Sequence, residues 1–250
     1  MKSATLSCLL FFLGSCAYID MLSMSETDPK ALKGNFEYNY KDETGNFTVQ
    51  RKFGQNKSGE FILKKELRSP FSTRYLERFI SVSKIKKFNK KTSYLSPKVS
   101  ESIFWLDRKR HKSVLKVNGN NLEIISVVGN KIYKKSSESL ERQRLHCFYS
   151  QLTECIATTN FFEMSSHKKL GTMNLNIIWD GHPFFNEQYL NQSEAAVQRA
   201  RMVFVETSKG MLKYQLEVDD QILFYFLDKN FRLKNFYWVA KGISQEREGI

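Results

Sequence analysis

The sequence predicts a mainly β (α+β) fold: a strongly curved antiparallel sheet or half-open barrel with one or two helices packed against it. Three observations predict it. Apolar and polar residues alternate from residue 34 onward, turn residues interrupt the alternation about every eight to twelve positions, and one central segment has helical spacing. The 250 residues include only 4 Pro and 12 Gly, which excludes a collagen-like or low-complexity chain.

The first half of the chain has the pattern of consecutive hairpins. Turn residues at 42–46 separate the first two alternating runs, and Asn118-Gly119-Asn120 is a strong hairpin signal between the last two. The segment 75–88 fits either a strand or a short helix. The strands that the alternation predicts in this half are 36–40, 47–53, 61–67, 102–106, 113–117 and 122–128.

A central helix is predicted near 137–157, because Leu145, Phe148, Leu152 and Ile156 recur at helical spacing. It contains Cys147 and Cys155. In a continuous helix their Cα atoms would lie about 12 Å apart, whereas a disulfide needs less than about 7 Å. Two free thiols and a disulfide that breaks the helix both remain open.

The second half predicts a meander. Residues 222–227 are apolar at both odd and even positions, which is typical of a strand covered on both faces. The segment 184–199 is irregular and then helical, with Ser193 as the N-cap of a helix at 194–199. The strands predicted here are 173–179, 202–205, 211–218, 221–227 and 231–239.

The N-terminus has the layout of an export signal: Lys2, an apolar run at 6–13, and then Leu13-Gly14-Ser15-Cys16. These four residues resemble the lipobox of bacterial lipoproteins. The resemblance implies a signal peptide at 1–15, cleavage before Cys16, and acyl chains on that cysteine. A tether at 16–33 and a single β-rich domain at 34–250 would follow.

Several acyl chains on Cys16 would hold the protein stably on a membrane, since each buried CH₂ contributes about 0.8 kcal/mol. Ala17 follows the cysteine. In lipoproteins of two-membrane bacteria, aspartate at this position favours the inner membrane, so the alanine implies the outer membrane, with the protein facing the periplasm or the cell surface. The alternative is an ordinary cleaved signal whose cysteine is accidental.

In element order and compartment, the chain resembles the periplasmic half-barrel carriers of the LolA and LolB kind, the latter also having a lipobox. The resemblance implies a curved sheet around a few helices. It covers no residue motif, so it assigns no functional residue.

The formal charge of +13 predicts an anionic partner or surface. Basic residues cluster at 84–91 and 108–112. Export argues against nucleic acid, which leaves lipid headgroups, lipopolysaccharide or acidic wall polymers. The alternative is that these lysines and arginines are solvated turns and guarded strand edges.

Aromatic residues are abundant, with 20 Phe, 11 Tyr and 3 Trp. Trp105, Trp179 and Trp238 all fall in predicted strands, so they are the candidates for lining a concave ligand-binding face, suited to an acyl chain or a sugar. Aromatic residues at such positions also form ordinary core.

Catalytic signals are weak, and we expect no enzyme, no metal and no cofactor. Ser81 with Lys84 and Ser165 with Lys168 match Ser-x-x-Lys without its companion motifs. Asp180 and His182 could serve proton transfer, but Asp-Gly-His-Pro is first a turn sequence.

The sequence therefore predicts an outer-membrane envelope lipoprotein that binds an amphipathic or anionic ligand, such as a lipid or glycolipid, in the concave face of its sheet. The alternative is a non-enzymatic scaffold that docks a protein or a cell-wall polymer and has no ligand cavity. The oligomeric state stays open.

Overall fold

The computed structural model describes residues 35–72, 74–87, 93–190 and 195–249, so the predicted signal peptide, Cys16 and the tether lie outside the described residues. The helices are α1 (Leu152–Ala157) and α2 (Phe161–Lys168), with short helical turns at Tyr149–Gln151, Asn186–Leu190 and Val239–Lys241. The strands are β1 (Phe36–Lys41), β2 (Thr48–Gln55), β3 (Glu60–Arg68), β4 (Tyr75–Lys87), β5 (Ser93–Leu106), β6 (Lys109–Asn118), β7 (Asn121–Val128), β8 (Lys131–Ser139), β9 (His146–Phe148), β10 (Thr172–Ile178), β11 (Val197–Ser208), β12 (Met211–Val218), β13 (Gln221–Leu227), β14 (Leu233–Trp238) and β15 (Ile243–Arg247).

All described strands belong to one curved, open sheet of 15 strands. Two meanders, β1–β8 and β10–β15, are joined where β1 pairs with β15, and β8 and β9 form the two edges. Neighbouring strands are antiparallel except for β9 and β10. The prediction of a mainly β, curved antiparallel sheet with few helices is confirmed at this level.

In the segment 75–88, which fitted a strand or a short helix, the described residues 75–87 form the long strand β4. Its inward residues Phe79, Ser81 and Ser83 are buried, while the residues between them are partly exposed. Pairing with β3 on one side and β5 on the other satisfies the backbone of β4 as a strand.

The predicted helix near 137–157 is wrong over most of its length. The backbone stays extended to Ser139, which pairs with Asn121, and α1 begins only at Leu152. The apolar residues that produced the helical spacing come from separate elements that face one interior: Leu145 and Phe148 precede the helix, and Ile156 lies in it. Shared burial, rather than one helix, explains their spacing.

Because the helix is interrupted, Cys147 in β9 and Cys155 in α1 have Cα atoms 5.9 Å apart and are joined by a disulfide. Of the two alternatives, free thiols or a disulfide that breaks the helix, the structure has the disulfide. It closes the loop that contains Tyr149, Ser150 and Thr153.

Two further predictions are corrected in the second half. The helix at 194–199 is wrong from residue 197 onward, because Val197 pairs with Ile178 in the sheet, and Ser193 lies outside the described residues. The strand at 222–227 is covered on one face only. Ile222 is 44% exposed on the outer face, where Phe224 is half-buried under the Lys213 Nζ at 5.0 Å.

Residues 146–190, here called the inner segment, include α1, α2 and β10 and supply much of the buried core, with the sheet wrapped around the helices. Arg51 on β2 donates to both carboxylate oxygens of Glu154 at 3.0 Å. Asp180 accepts hydrogen bonds from Ser81 at 2.7 Å and Ser100 at 3.2 Å, and also from Ser150. Buried polar pairs therefore fix the inner segment to the sheet.

Candidate ligand-binding cavity

A cavity of about 570 Å³, here called the mouth cavity, lies at one end of the sheet. Its volume is within the range of about 300–1,000 Å³ that is typical of small-molecule sites. It opens beside Phe47, which is 42% exposed, and beside the exposed Thr44 and Gly242.

The meander explains why these residues converge. Alternate strands of a meander run in opposite directions, so β1, β3, β5 and β14 all end at the edge where β2, β4 and β15 begin. The walls come from these strand ends, including Leu67, Leu76, Leu106, Phe236 and Ile243. A continuous apolar wall results from residues that are far apart in sequence.

The structure brings two of the three candidate tryptophans to the cavity. Trp105 is half-buried in its wall, and Trp238, which is 1% exposed, also lines it. Trp179 is buried behind them, with ring centroids 5.4 Å from Phe185 and 6.4 Å from Trp238. Trp179 therefore supports the wall without belonging to its lining.

The inner segment supplies further aromatic lining through Tyr149, Phe185 and Tyr189. Gly181 permits this close approach. Its φ is +134°, and a Cβ at this position would lie 2.9 Å from the Phe104 ring and 3.0 Å from Phe185. A larger residue at 181 would push the chain away from the sheet and displace Phe185.

The mouth cavity also contains charged groups. The Tyr189 hydroxyl donates a hydrogen bond to the Glu77 carboxylate, and Lys65 lines the wall nearby. Burial raises the pKa of Glu77, and burial lowers the pKa of Lys65, partly offset by the negative field of Glu77. An aromatic cavity with an internal cation suits an apolar ligand that bears an anionic or polar group.

The sequence reasoning missed Lys65, Glu77 and the buried Arg51. The signal was present, because strand alternation places Lys65 on the same face as the core residues Leu63 and Leu67. Likewise, Arg51 falls between the inward residues Val49 and Phe53 of β2. The informative feature is a charged residue at an inward-facing strand position, not a cluster of charges along the sequence.

Those basic clusters lie elsewhere. The described part of the first cluster includes Lys84, Lys86 and Lys87, all exposed on β4, and Arg108 lies with exposed neighbours in the turn between β5 and β6. Lys112, at the end of the second cluster, forms an ion pair with Glu101 at 2.7 Å. This placement fits solvated turns and strand surfaces.

The weak catalytic motifs do not assemble as the chemistry would need. Ser81 faces inward and Lys84 outward on β4, so the strand separates them. Asp180 is held by serines, and burial raises its pKa. Burial and Lys134 lower the pKa of His182 to about 4, partly offset by a hydrogen bond to Asn186.

Within the described residues, no group of three or more His, Cys, Asp and Glu side chains is placed to hold a metal ion. The same described part of the chain contains no helix long and apolar enough to cross a membrane.

No family model and no curated protein matches this sequence. Among solved structures, the chain is similar to the crystal structure of a β-barrel-like protein of the domain of unknown function DUF1849 from Brucella abortus. The TM-score is 0.43 and the sequence identity 7%, over 86% of this chain and 95% of that chain. A likeness of this degree carries no inference about residues or function, so the cavity is interpreted from its own chemistry.

Proposed function

We propose that this protein is a non-enzymatic envelope lipoprotein that binds a single-chain amphipathic ligand in the mouth cavity. The observation that supports this proposal is the cavity of about 570 Å³, which is lined by aromatic and aliphatic side chains and by the partly buried Lys65. The apolar chain of the ligand lies against Trp105, Trp238 and Phe185, where its removal from water contributes about 25 cal/mol per Å² of apolar surface.

Charge supports an anionic rather than a neutral ligand. Lys65 lies in the wall, and Lys241 lies at the mouth. Either cation can attract an anionic group, and the formal net charge of +13 favours approach to an anionic membrane.

The scaffold alternative requires a filled interior, and the open volume of the mouth cavity argues against it. Its support is a set of exposed apolar side chains outside the cavity, including Phe71 at 92% exposure and Ile132 at 70%.

The experiment is native mass spectrometry of the full chain, expressed in bacteria and released from lipid nanodiscs. We expect a co-purifying mass of several hundred daltons that denaturation releases as lipid. Trp105→Ala, which removes part of the cavity wall, should reduce its occupancy about tenfold. Tyr237→Ala is the matched control, since Tyr237 is a half-buried aromatic on the opposite face of β14 from Trp238. A clean ligand-free mass for the unsubstituted chain would favour the scaffold.

The membrane anchor is a separate element of the proposal and rests on the lipobox at Leu13-Gly14-Ser15-Cys16. Replacing Cys16 by Ser should abolish incorporation of radiolabelled palmitate and release the protein from the outer-membrane fraction. Retention of the Cys16→Ser chain in that fraction through the same extraction would contradict the anchor, while leaving the cavity unaffected.

A further inference from the structure

A second, much smaller cavity of about 30 Å³, here called the inner chamber, adjoins the mouth cavity. Four residues line both cavities: Lys65, Tyr149, Phe236 and Gln245. The other residues around the chamber include Arg51, Thr153 and Tyr225, which are 6%, 2% and 4% exposed. The two cavities therefore meet at these four side chains, and the chamber lies on the side of Arg51 and Tyr225.

Strand spacing gives the depth of the site. Val49 lines the mouth cavity and Arg51 lines the chamber two residues further along β2, a distance of about 7 Å. On β3, the corresponding step leads from Leu67 to Lys65. On β2 and β3, apolar residues therefore lie toward the mouth and cations lie further along the strands.

Arg51 and Lys65 are direct cross-strand partners in the register of β2 and β3. Like charges at such positions normally destabilise a sheet. Glu154 compensates Arg51 through Nη2, but the Arg51 Nε is buried and has no hydrogen-bond partner among the described residues. A buried charged donor without a partner is costly, so the pair is suited to receiving an anion.

The chamber also offers a neutral donor. Tyr149 and Tyr225 line it and share a hydrogen bond, which uses one of the two hydroxyl protons. Burial raises the pKa of both hydroxyls, so they stay protonated at physiological pH and the other hydroxyl can donate to a ligand. The volume of the chamber accommodates about two water-sized groups, which matches the two oxygens of a carboxylate better than the four of a phosphate.

We infer that the inner chamber binds the carboxylate of a fatty acid that enters head first, with its alkyl chain extending through the mouth cavity. The inference rests on the proposed function and names its ligand class. Lys65 and Arg51 hold the carboxylate, the aromatic walls contact the chain, and the methyl end lies toward Phe47 and Gly242.

The test compares laurate with dodecanol, which has the same chain and no charge, by calorimetric titration of the full-length protein in nanodiscs near neutral pH. The unsubstituted protein should bind laurate at least tenfold more tightly, since hydrogen bonds to buried charged groups are the strong ones. Lys65→Met should bring the two affinities within about twofold, because laurate loses an ionic contact and its affinity falls more than that of dodecanol. Each ligand partitions into the nanodisc lipid to the same extent with every variant, so partitioning does not affect the comparison between variants.

Lys64→Met is the matched control, because Lys64 is the adjacent lysine, lies on the outer face of β3 and pairs with Glu66 at 2.7 Å. It should keep the preference for laurate. Loss of that preference in Lys241→Met instead would place the carboxylate at the mouth and overturn the inference. Equal affinities for laurate and dodecanol would overturn it and leave the proposed function standing, whereas binding of neither would overturn both.

A second measurement needs no variant and decides the orientation if Lys65→Met fails to fold. Laurate with a photoreactive diazirine at its methyl end is bound to the unsubstituted protein, irradiated, and mapped by peptide mass spectrometry. Labelling near Phe47 and Gly242 is the expected result. Labelling near Thr153 and Tyr225 would show the opposite orientation and overturn the inference.

Discussion

Both ends of the concave face contain clustered aromatic residues, but one end is a packed core and the other borders an open cavity. At one end, Phe162 and Tyr214 pack with ring centroids 4.6 Å apart, and both are fully buried. The Tyr214 hydroxyl donates to the Phe162 carbonyl at 2.9 Å and lies 3.1 Å from Ser165. At the other end, Trp105 and Trp238 face the open volume of the mouth cavity.

The difference lies in what the inner segment supplies. At the filled end, α2 inserts Phe161 and Phe162 against Tyr214, which also packs against Phe204, so each ring is covered by another ring. At the mouth, the inner segment contributes Phe185 and Tyr189 as walls and leaves the space between them and Trp105 open. Aromatic content alone therefore does not distinguish core from ligand site. The placement of a helix does.

The largest expected effect is the loss of stability when a ring of the filled end is removed. Phe162→Ala should lower the free energy of unfolding by about 3–5 kcal/mol, because it leaves a cavity in a fully packed cluster. Trp105→Ala should cost only about 1 kcal/mol, since its side chain is half-buried and already borders open volume. Urea unfolding of both variants measures the contrast.

Equal destabilisation by Phe162→Ala and Trp105→Ala would mean that the mouth is packed in solution, and the comparison between the two ends would fail. Phe162→Leu serves as the conservative control and should recover more than half of the loss, because it restores most of the buried apolar volume.

An intermediate effect is expected from the disulfide. Replacing Cys147 and Cys155 by Ser should lower the free energy of unfolding by about 2–3 kcal/mol, as expected for a loop of this length. The closed loop contains Tyr149, Ser150 and Thr153, which line the inner chamber. Laurate affinity should therefore fall more than dodecanol affinity. Titration of both ligands checks this, and an equal fall would show that the bridge stabilises the fold without shaping the chamber.

The alternation of apolar and polar residues was sufficient to predict most strands, because burial on one face imposes it directly on the sequence. The Asn-Gly turn residues predicted the hairpin at Asn118-Gly119-Asn120, which joins β6 to β7. The strand β15, which closes the gap between the two meanders, was not predicted. It has only one strongly apolar residue, Ile243, and its pairing with β1 is a contact between the two ends of the chain that no local pattern encodes.

The candidate site was predictable only in part, for a related reason. Trp105 and Trp238 line the mouth cavity and Trp179 does not, but nothing in the spacing of the three tryptophans separates them. The central helix was wrong because Leu145 and Ile156 share a burial environment without sharing an element. Cavities form where segments that are distant in sequence leave space between them, and the local periodicity of apolar residues does not reveal such space.

The smallest expected effect is a pH dependence of laurate binding at Lys65 in the inner chamber. Burial lowers the pKa of Lys65 below its ordinary value of 10.5, while Glu77 and Asp180 oppose that shift and Arg51 reinforces it. A bound carboxylate favours charged Lys65 and raises its pKa, so laurate binding requires proton uptake once the free protein has lost that proton. Laurate affinity should therefore fall as the pH rises through the lowered pKa, by up to about tenfold.

Dodecanol has no charge over this range, so its affinity should stay nearly constant, and the ratio of the two affinities isolates the ionic contribution. The filled end contains no such internal cation among its described lining residues, Phe161, Phe162, Phe204 and Tyr214. Titrations in steps from neutral to alkaline pH should therefore show the decline in the unsubstituted protein and not in Lys65→Met. A decline that persists in Lys65→Met would assign the titration to another group, such as Lys241, and would place the anion at the mouth rather than in the chamber.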